Sequence, residues 1–447
     1  MEYLIGLDIG TSAVKGALLS EDGGVRMTAD AGFTYVIDGD AKLLIPEQFC
    51  EVCFSVIKKL ADGADGRVAA ICSCHASGNP LFLDGDNKPL TNIVGWQTVI
   101  PWDDINKVYT KAEQDAFYRT VGWGFFNGMV AADLAYIKVH KPEILEQTKF
   151  LTMSAEYLNY KITGKWGISH SMGTPSYLMD QEKGVYNKAV LSKFGLTEKM
   201  LPPIYDKGTV LGTVLPEMAD RLGVDADTKI VLGSFDHPSG ALGAGVLQPG
   251  QLLLSCGTSW VELFPVEDRE FALSTGCLVD RFTLHGAKWC VMSSLESIAV
   301  KIDRLREHFF GVVPHKYFDG LAGEAESGCH GLQFEFDDGD FERAEGCDKR
   351  DIARAITESA ARLLKRNLAE LEACGLKTVT VTAIGGITNS SVCTRIISEV
   401  LEKPVNVVNG QSAGAVGSCL LAGMGIGLCK DEFDAFNKMK AKTETVK

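Results

Sequence analysis

The segment LDIGTSAV (Leu7 to Val14) returns as LSCGTSWV (Leu254 to Val261), with Leu, Gly, Thr, Ser and Val identical at an offset of 247 residues. Each copy lies between apolar runs, Tyr3 to Leu7 and Val14 to Leu19 in the first, Gln251 to Ser255 and Trp260 to Phe264 in the second. Apolar runs joined by a Gly-Thr-Ser turn read as a strand-turn-strand hairpin. A hairpin repeated at so long an interval predicts an internal duplication, two similar domains facing each other across a cleft. The length of 447 residues agrees, since domains run to roughly 100–200 residues.

Between and after the hairpins, strand and helix signals alternate, which predicts an α/β fold. Strands are expected at Arg67 to Cys74, Leu81 to Leu83, Thr228 to Phe235, Thr378 to Ile384 and Val405 to Val408. Helices are expected at Met129 to His140, Ser154 to Thr163 and Asp351 to Cys374. In the last of these, Ile352, Ile356, Leu363 and Leu371 share one face, and Gly375 stands where a helix-ending glycine belongs. An apolar helix is expected within Val416 to Leu428, and a frayed tail from Lys438.

The net charge of −14 argues against a nucleic-acid or anionic-membrane binder. The opening MEYLIGLDIGTS has no basic stretch, so no signal peptide is expected. No apolar run approaches the ~18 residues of a membrane span. A cytoplasmic protein is expected, its thirteen cysteines reduced thiols. The close pairs Cys50/Cys53 and Cys72/Cys74 lack second pairs at zinc-site spacing.

The first hairpin turn offers backbone N–H groups and two hydroxyls, from Gly10, Thr11 and Ser12, which are the groups phosphate oxygens need. Asp8 can hold Mg²⁺, usually through water, and Lys15 can supply positive charge. The Walker A spacing is absent, and a strand follows where that loop needs a helix. In the second copy Ser255 stands at the place of Asp8 and Glu262 at that of Lys15, which leaves Gly257 and Thr258 as neutral donors. Asp236 ends an apolar strand just before His237-Pro238, where the proline predicts a helix start with His237 as its cap. A carboxylate at that strand end suits a base acting on a bound hydroxyl. Gly385-Gly386, with Asn389 after them, follow a strand and open a helix, so an adenosine or phosphate can approach the backbone. Gly410-Gln411-Ser412-Ala413-Gly414 fits a nucleophile elbow. That elbow needs a later histidine, and the last one here is His330.

In this order, the pieces resemble the FGGY family of carbohydrate kinases over nearly the whole chain. LIGLDIGTSAVKGALL (Leu4 to Leu19) is similar to the family's first phosphate loop, and LLLSCGTSW (Leu252 to Trp260) to its second. GSFDHPSGALGAG (Gly233 to Gly245) resembles the segment of the catalytic aspartate, here Asp236. YLNYKITGK (Tyr157 to Lys165) and AIGGITNSSVCTRIISEVLEKPV (Ala383 to Val405) resemble further family segments, the latter the adenosine-binding end.

The resemblance implies two actin-like (ribonuclease H-like) domains, 1–232 with the first phosphate loop and sugar side, and 233–447 with the catalytic aspartate and adenosine site. It implies transfer of a phosphoryl group from ATP, with Mg²⁺, to a hydroxyl of a small sugar or polyol. The rival classes are an actin-like ATPase that needs no sugar and an inactive sugar-binding protein. The oligomeric state stays open, a homodimer included.

On the sugar side the family's QMHGA falls on Ala76-Ser77-Gly78-Asn79-Pro80, which makes Ser77, Gly78, Asn79 and Trp96, with Asp236, the expected substrate residues. WNDGR falls on Trp96-Gln97-Thr98-Val99-Ile100 and D-x-S on Ser169-His170-Ser171, so the usual acids and arginine are missing. Asp103 and Asp104 lie nearby as substitutes. The third glycine of the adenosine loop has become Ile387. The nucleotide side is therefore kept better than the sugar side.

Overall fold

The computed structural model describes residues 1–76, 78–337, 339–408, 412–439 and 443–446. Packing divides the chain into two units, Met1–Gly245 with Asp268–Cys290 and Gln411–Ala441, and Val246–Glu267 with Val291–Gly410 and Lys442–Lys447. This partition differs from a cut at 232/233, because residues 233–245 and two later segments pack with the first unit.

The first unit is built on strands β1 (Glu2–Ile9), β2 (Ala13–Ser20), β3 (Val25–Gly32), β4 (Arg67–His75), β5 (Val210–Thr213) and β6 (Lys229–Phe235). They lie in the order β5-β6-β4-β1-β2-β3. β1, β4 and β6 run parallel, and β2, β3 and β5 are antiparallel to their neighbours. β1 and β4 read as continuous apolar runs because both faces are covered. On one face the helix Pro46–Asp62 buries Phe49, Cys53, Val56, Ile57 and Leu60 against the sheet. On the other lie the helices Asp236–Gly243 and Ala413–Gly425, the latter holding almost all of its side chains buried.

The second unit has β7 (Gln251–Cys256), β8 (Trp260–Val266), β9 (Trp289–Leu295, entering this unit at Val291), β10 (Thr380–Gly385), β11 (Val405–Val408) and β12 (Thr443–Val446). Their order is β9-β8-β7-β10-β11-β12. β7 pairs antiparallel with β8 and parallel with β10, and β10 is parallel to β11. That is the environment of β1, between antiparallel β2 and parallel β4. The repeated hairpin therefore reports a repeated topology.

The helix Lys349–Ala373 starts two residues before the expected Asp351, because Asp348 caps it by accepting from Arg350 N–H. Ile352, Ile356 and Leu371 are buried as expected; Leu364 and Leu368 are buried too, while Leu363 is only half-buried. Gly375 has φ +99° just beyond the helix end, the left-handed position that favours glycine. The tail expected to fray instead contributes β12, antiparallel to β11, through the β-prone TETV segment. Among the described residues no helix is long and apolar enough to cross a membrane.

Candidate active site

In the first unit the parallel strands end level with one another: Ile9 pairs with His75 and His75 with Phe235. The carboxyl ends of parallel strands are where open α/β sheets build their sites. Here that alignment puts Asp8 and the turn after β1, the segment after β4, and Asp236 after β6 at one sheet edge.

Asp236 opens the helix Asp236–Gly243 itself, two residues earlier than the start at Pro238 that the sequence suggested. Pro238 is tolerated in the first turn, where its missing N–H would have no helical partner. His237 is thus inside the helix and not its cap; its backbone N–H donates to Asp236 Oδ1 at 2.8 Å. The Asp236 side chain keeps about 26% of its surface exposed. Burial of its remaining surface pushes the carboxyl above its ordinary value; His237 pulls the other way, and the nearby Asp8 carboxylate adds to the rise.

Asp8 accepts from Ser412 Oγ at 2.7 Å and from Cys74 Sγ at 3.7 Å. A Cβ on Gly414 would meet Asp8 Cγ at 2.7 Å, so this glycine lets the helix start lie against the carboxylate. Ser412 also caps the helix Ala413–Gly425 by accepting from Ala415 N–H. It is a cap and an Asp8 partner; Gly410 and Gln411 of the elbow-like motif lie outside the described residues.

In the first turn Gly10 N–H donates to Ala13 O at 3.0 Å and closes the hairpin. Ser12 is exposed. Lys15 is exposed and stands directly across the ladder from Asp8. Thr11 Oγ1 accepts from the Trp96 indole N–H at 2.9 Å, and Trp96 N–H donates to Asn79 Oδ1 at 2.8 Å. Asn79 in turn donates to Ala76 O at 2.7 Å. The expected phosphate side and sugar side thus form one bonded chain, Asn79 to Trp96 to Thr11. Gly78 has φ +91° and lies against Met129. Ser77 lies outside the described residues.

The neutral replacements on the sugar side are already engaged. Gln97 Oε1 accepts from Lys42 Nζ at 3.1 Å and Thr98 Oγ1 from Lys42 N–H at 3.2 Å. Ser169 is buried and caps a helical turn, accepting from Met172 N–H at 3.2 Å. Asp104 is buried against Lys107 at 2.7 Å and His140 at 2.8 Å, whereas Asp103 is exposed.

In the second unit Cys256 at the end of β7 pairs with Gly385 at the end of β10. This brings Gly257 and Thr258 to the same strand ends as Gly385, Gly386 and Asn389, all five exposed. Gly385 has φ +92°, and a Cβ there would meet Cys256 O at 2.4 Å, so only glycine fits. Asn389 ends a single 3₁₀ turn, after which Ser390 caps the helix Ser391–Leu401. Thr258 O accepts from Ala299 N–H at 3.1 Å.

The two hairpins differ in register. Asp8 pairs with Lys15, four turn residues separating Ile9 from Val14, but Ser255 pairs with Val261, three residues separating Cys256 from Trp260. Glu262 therefore does not take the place of Lys15. It is fully buried, bonded to Asn367 at 3.0 Å, and burial pushes its carboxyl up to about 7.

Residues 3–243 match the N-terminal domain of the FGGY family of carbohydrate kinases, and residues 328–426 its C-terminal domain. The chain is 23% identical to xylulose kinase of Bacillus subtilis, over 96% of this chain and 89% of that protein. It is equally 23% identical to autoinducer-2 kinase of Yersinia enterocolitica, over 96% of this chain and 87% of that one. The fold superposes on ligand-bound xylulose kinase of Lactobacillus acidophilus with a TM-score of 0.86 at 20% identity, covering 100% of this chain and 94% of the other. Glycerol kinase of Plasmodium falciparum with ADP gives 0.84 at 14% identity, covering 100% and 94%. These structures share the two-domain actin-like α/β fold. By the family match over most of its length, the chain belongs to the FGGY carbohydrate kinases, which phosphorylate a sugar or polyol hydroxyl with ATP.

Proposed function

We propose that Asp236 is the base of this kinase, orienting the acceptor hydroxyl and taking its proton. The reading rests above all on the level ends of β1, β4 and β6, which set a partly exposed carboxylate beside Asp8 and the first turn. Phosphoryl transfer passes through a loose transition state, so positioning and charge neutralisation do most of the work and the proton leaves late. An ordinary carboxylate suffices for that.

Gly10, Thr11, Ser12 and Lys15 of the first unit would bind phosphate, and so would Gly257 and Thr258 of the second unit. Gly385, Gly386 and Asn389 would receive the adenosine. The acceptor would meet Ser77, Gly78, Asn79, Trp96 and Asp236. Among the described residues no group of three or more His, Cys, Asp or Glu side chains is built to cage a metal. A lone Asp8 carboxylate fits Mg²⁺, which keeps several waters and is shared with substrate phosphates. Bound there, Mg²⁺ would neutralise phosphate charge. The test is ADP release from ATP across a panel of ketoses, aldoses and polyols, where stimulation by none of them would overturn the reading.

Replacing Thr11 or Thr258 by Val removes one hydroxyl donor each, a loss of about 0.5–1.5 kcal/mol, or roughly two- to tenfold in kcat/KM for ATP. Asp8→Ala is expected in addition to raise the Mg²⁺ concentration needed for half-maximal rate. Unchanged ATP kinetics in Thr258→Val would make the second hairpin a structural copy only.

We further propose that D-xylulose is a poor acceptor. Thr98, Ile100 and Ser169 stand where the family pattern has charged groups, and Thr98 and Ser169, like the neighbouring Gln97, are already bonded within the protein. Two lost hydroxyl contacts at about 1–3 kcal/mol each correspond to roughly 10²–10⁴-fold. The kcat/KM for D-xylulose should fall that far below the best acceptor of the panel. D-xylulose as the best acceptor would refute this account of the pocket.

A further inference from the structure

We infer that Asp280 is a positioning residue for the catalytic aspartate, acting through Ser171 on the backbone just before Asp236. The inference rests on the assignment of Asp236 as the base. Asp280, on the short strand Leu278–Arg281, is fully buried within the first unit. Ser171 Oγ donates to Asp280 Oδ2 at 3.0 Å and accepts from Phe235 N–H at 3.2 Å. Phe235 ends β6 and is the N-cap of the helix that Asp236 opens, yet its own side chain offers no capping oxygen. The serine thus holds the Phe235 N–H, and its own orientation is set by the carboxylate behind it.

The second oxygen is equally committed. Asp280 Oδ1 accepts from Thr174 Oγ1 at 2.9 Å and from Arg281 N–H at 2.7 Å, and Thr174 is itself approached by Gln181 Nε2 at 3.4 Å. Three donors converge on one buried carboxylate, and burying a carboxylate without such donors is costly. No role in the second-unit sites or the sugar-side chain through Asn79 accounts for it. What the arrangement does is fix the serine hydroxyl as a donor toward Asp280, so that its lone pair faces Phe235 N–H.

The same geometry makes the hold sensitive to protonation. Burial pushes the Asp280 carboxyl up to about 7; the donors Thr174, Arg281 N–H and Ser171 oppose this, as does the charge of Lys207. Lys207 is buried with its Nζ 5.4 Å from the Phe282 ring centre, and the Arg281 guanidinium and Cys290 thiol also interact with Asp280. A protonated Asp280 sets a donor against a donor and turns Ser171 away from its present orientation. The sign follows: above about pH 7 the carboxylate holds Ser171, and below it the hold is lost, so turnover should fall as pH drops through that value.

The test compares steady-state kinetics of Asp280→Asn, Ser171→Ala and Ser171→Thr, using ATP and the fastest acceptor of the sugar panel. Displacement of a catalytic group by about 1 Å costs up to about 10²-fold. Asp280→Asn and Ser171→Ala should lower kcat about ten- to a hundredfold with KM values moved less than about twofold. Ser171→Thr, which keeps the hydroxyl, should recover most of the rate. The step in turnover near pH 7 should vanish in Asp280→Asn, and adding Asp280→Asn to Asp236→Asn should cost nothing further. If Asp280→Asn does not fold, the two serine variants decide alone. Wild-type kcat in folded Asp280→Asn or Ser171→Ala, or a change confined to KM, would overturn the inference. Full turnover in Asp236→Asn would instead remove the base assignment, so the two failures are distinguishable.

Discussion

Asp236→Asn should lower kcat by about 10²–10⁴-fold, the range of a positioned general base, while KM for ATP and for the acceptor change little. Asparagine has the shape of aspartate and can still accept the His237 N–H now held at 2.8 Å. The helix start and the sheet edge are therefore preserved. What the amide cannot do is take a proton. Because the proton moves late in a loose transition state, the loss appears in the transition state and not in ground-state binding. The measurement is kcat and KM by ADP release, with ATP affinity checked by direct titration. A mutant within a few-fold of wild type would remove Asp236 from the chemistry.

Local chemistry explains why much of this site was readable before the structure. Gly-Thr-Ser between apolar runs specifies a hairpin from a dozen residues, and both hairpins are found there. The apolar strand into Asp236 and the paired glycines at 385 and 386 are likewise local signals. The failures are non-local or depend on a single residue of register. One turn residue fewer in the second hairpin sets Glu262 against Leu254 instead of opposite Ser255, and no composition rule foretells that. Ser412 reaches Asp8 across 404 residues. Ser169, at the place of a sugar-side acid of the family, is a helix cap, and Asp104, read as a substitute for such an acid, is spent on Lys107 and His140. Asp280 carried no motif at all, and its partners Ser171 and Phe235 are brought to it only by the packing of the first unit. Sequence patterns gave the loops their identity; tertiary contact decided which polar groups are free.

Gly417→Ala should be among the most damaging single-methyl changes in the first unit. The helix Ala413–Gly425 lies between the sheet and the helix Asp236–Gly243, and small residues mark each contact. A Cβ on Gly417 would stand 1.9 Å from Ser239 O, one on Gly243 2.0 Å from Ala413 O, and one on Gly6 1.9 Å from Ala415 O. In every case the obstacle is backbone, which cannot swing aside as a long side chain would. Ser239 Oγ bonds Gly414 O at 2.9 Å and Ser418 Oγ bonds Leu7 O at 3.1 Å, so separating the layers also breaks buried hydrogen bonds. Overpacking costs about 1–3 kcal/mol and losing a buried polar partner about 1–3 more. Together they give a loss of roughly 2–6 kcal/mol, a large part of a typical stability of about 5–15 kcal/mol. The matched control is Gly320→Ala, on the exposed face of the helix His315–Glu324, where an added Cβ meets nothing within 4 Å. Helix propensity there favours alanine by up to about 1 kcal/mol. Thermal melts should thus move in opposite directions, sharply down for Gly417→Ala and level or slightly up for Gly320→Ala. The loss at 417 should also lower turnover, since the same helix carries the Ser412 cap that holds Asp8. A Gly417→Ala protein melting with the wild type would mean that the two helices and the sheet are not in the close contact described.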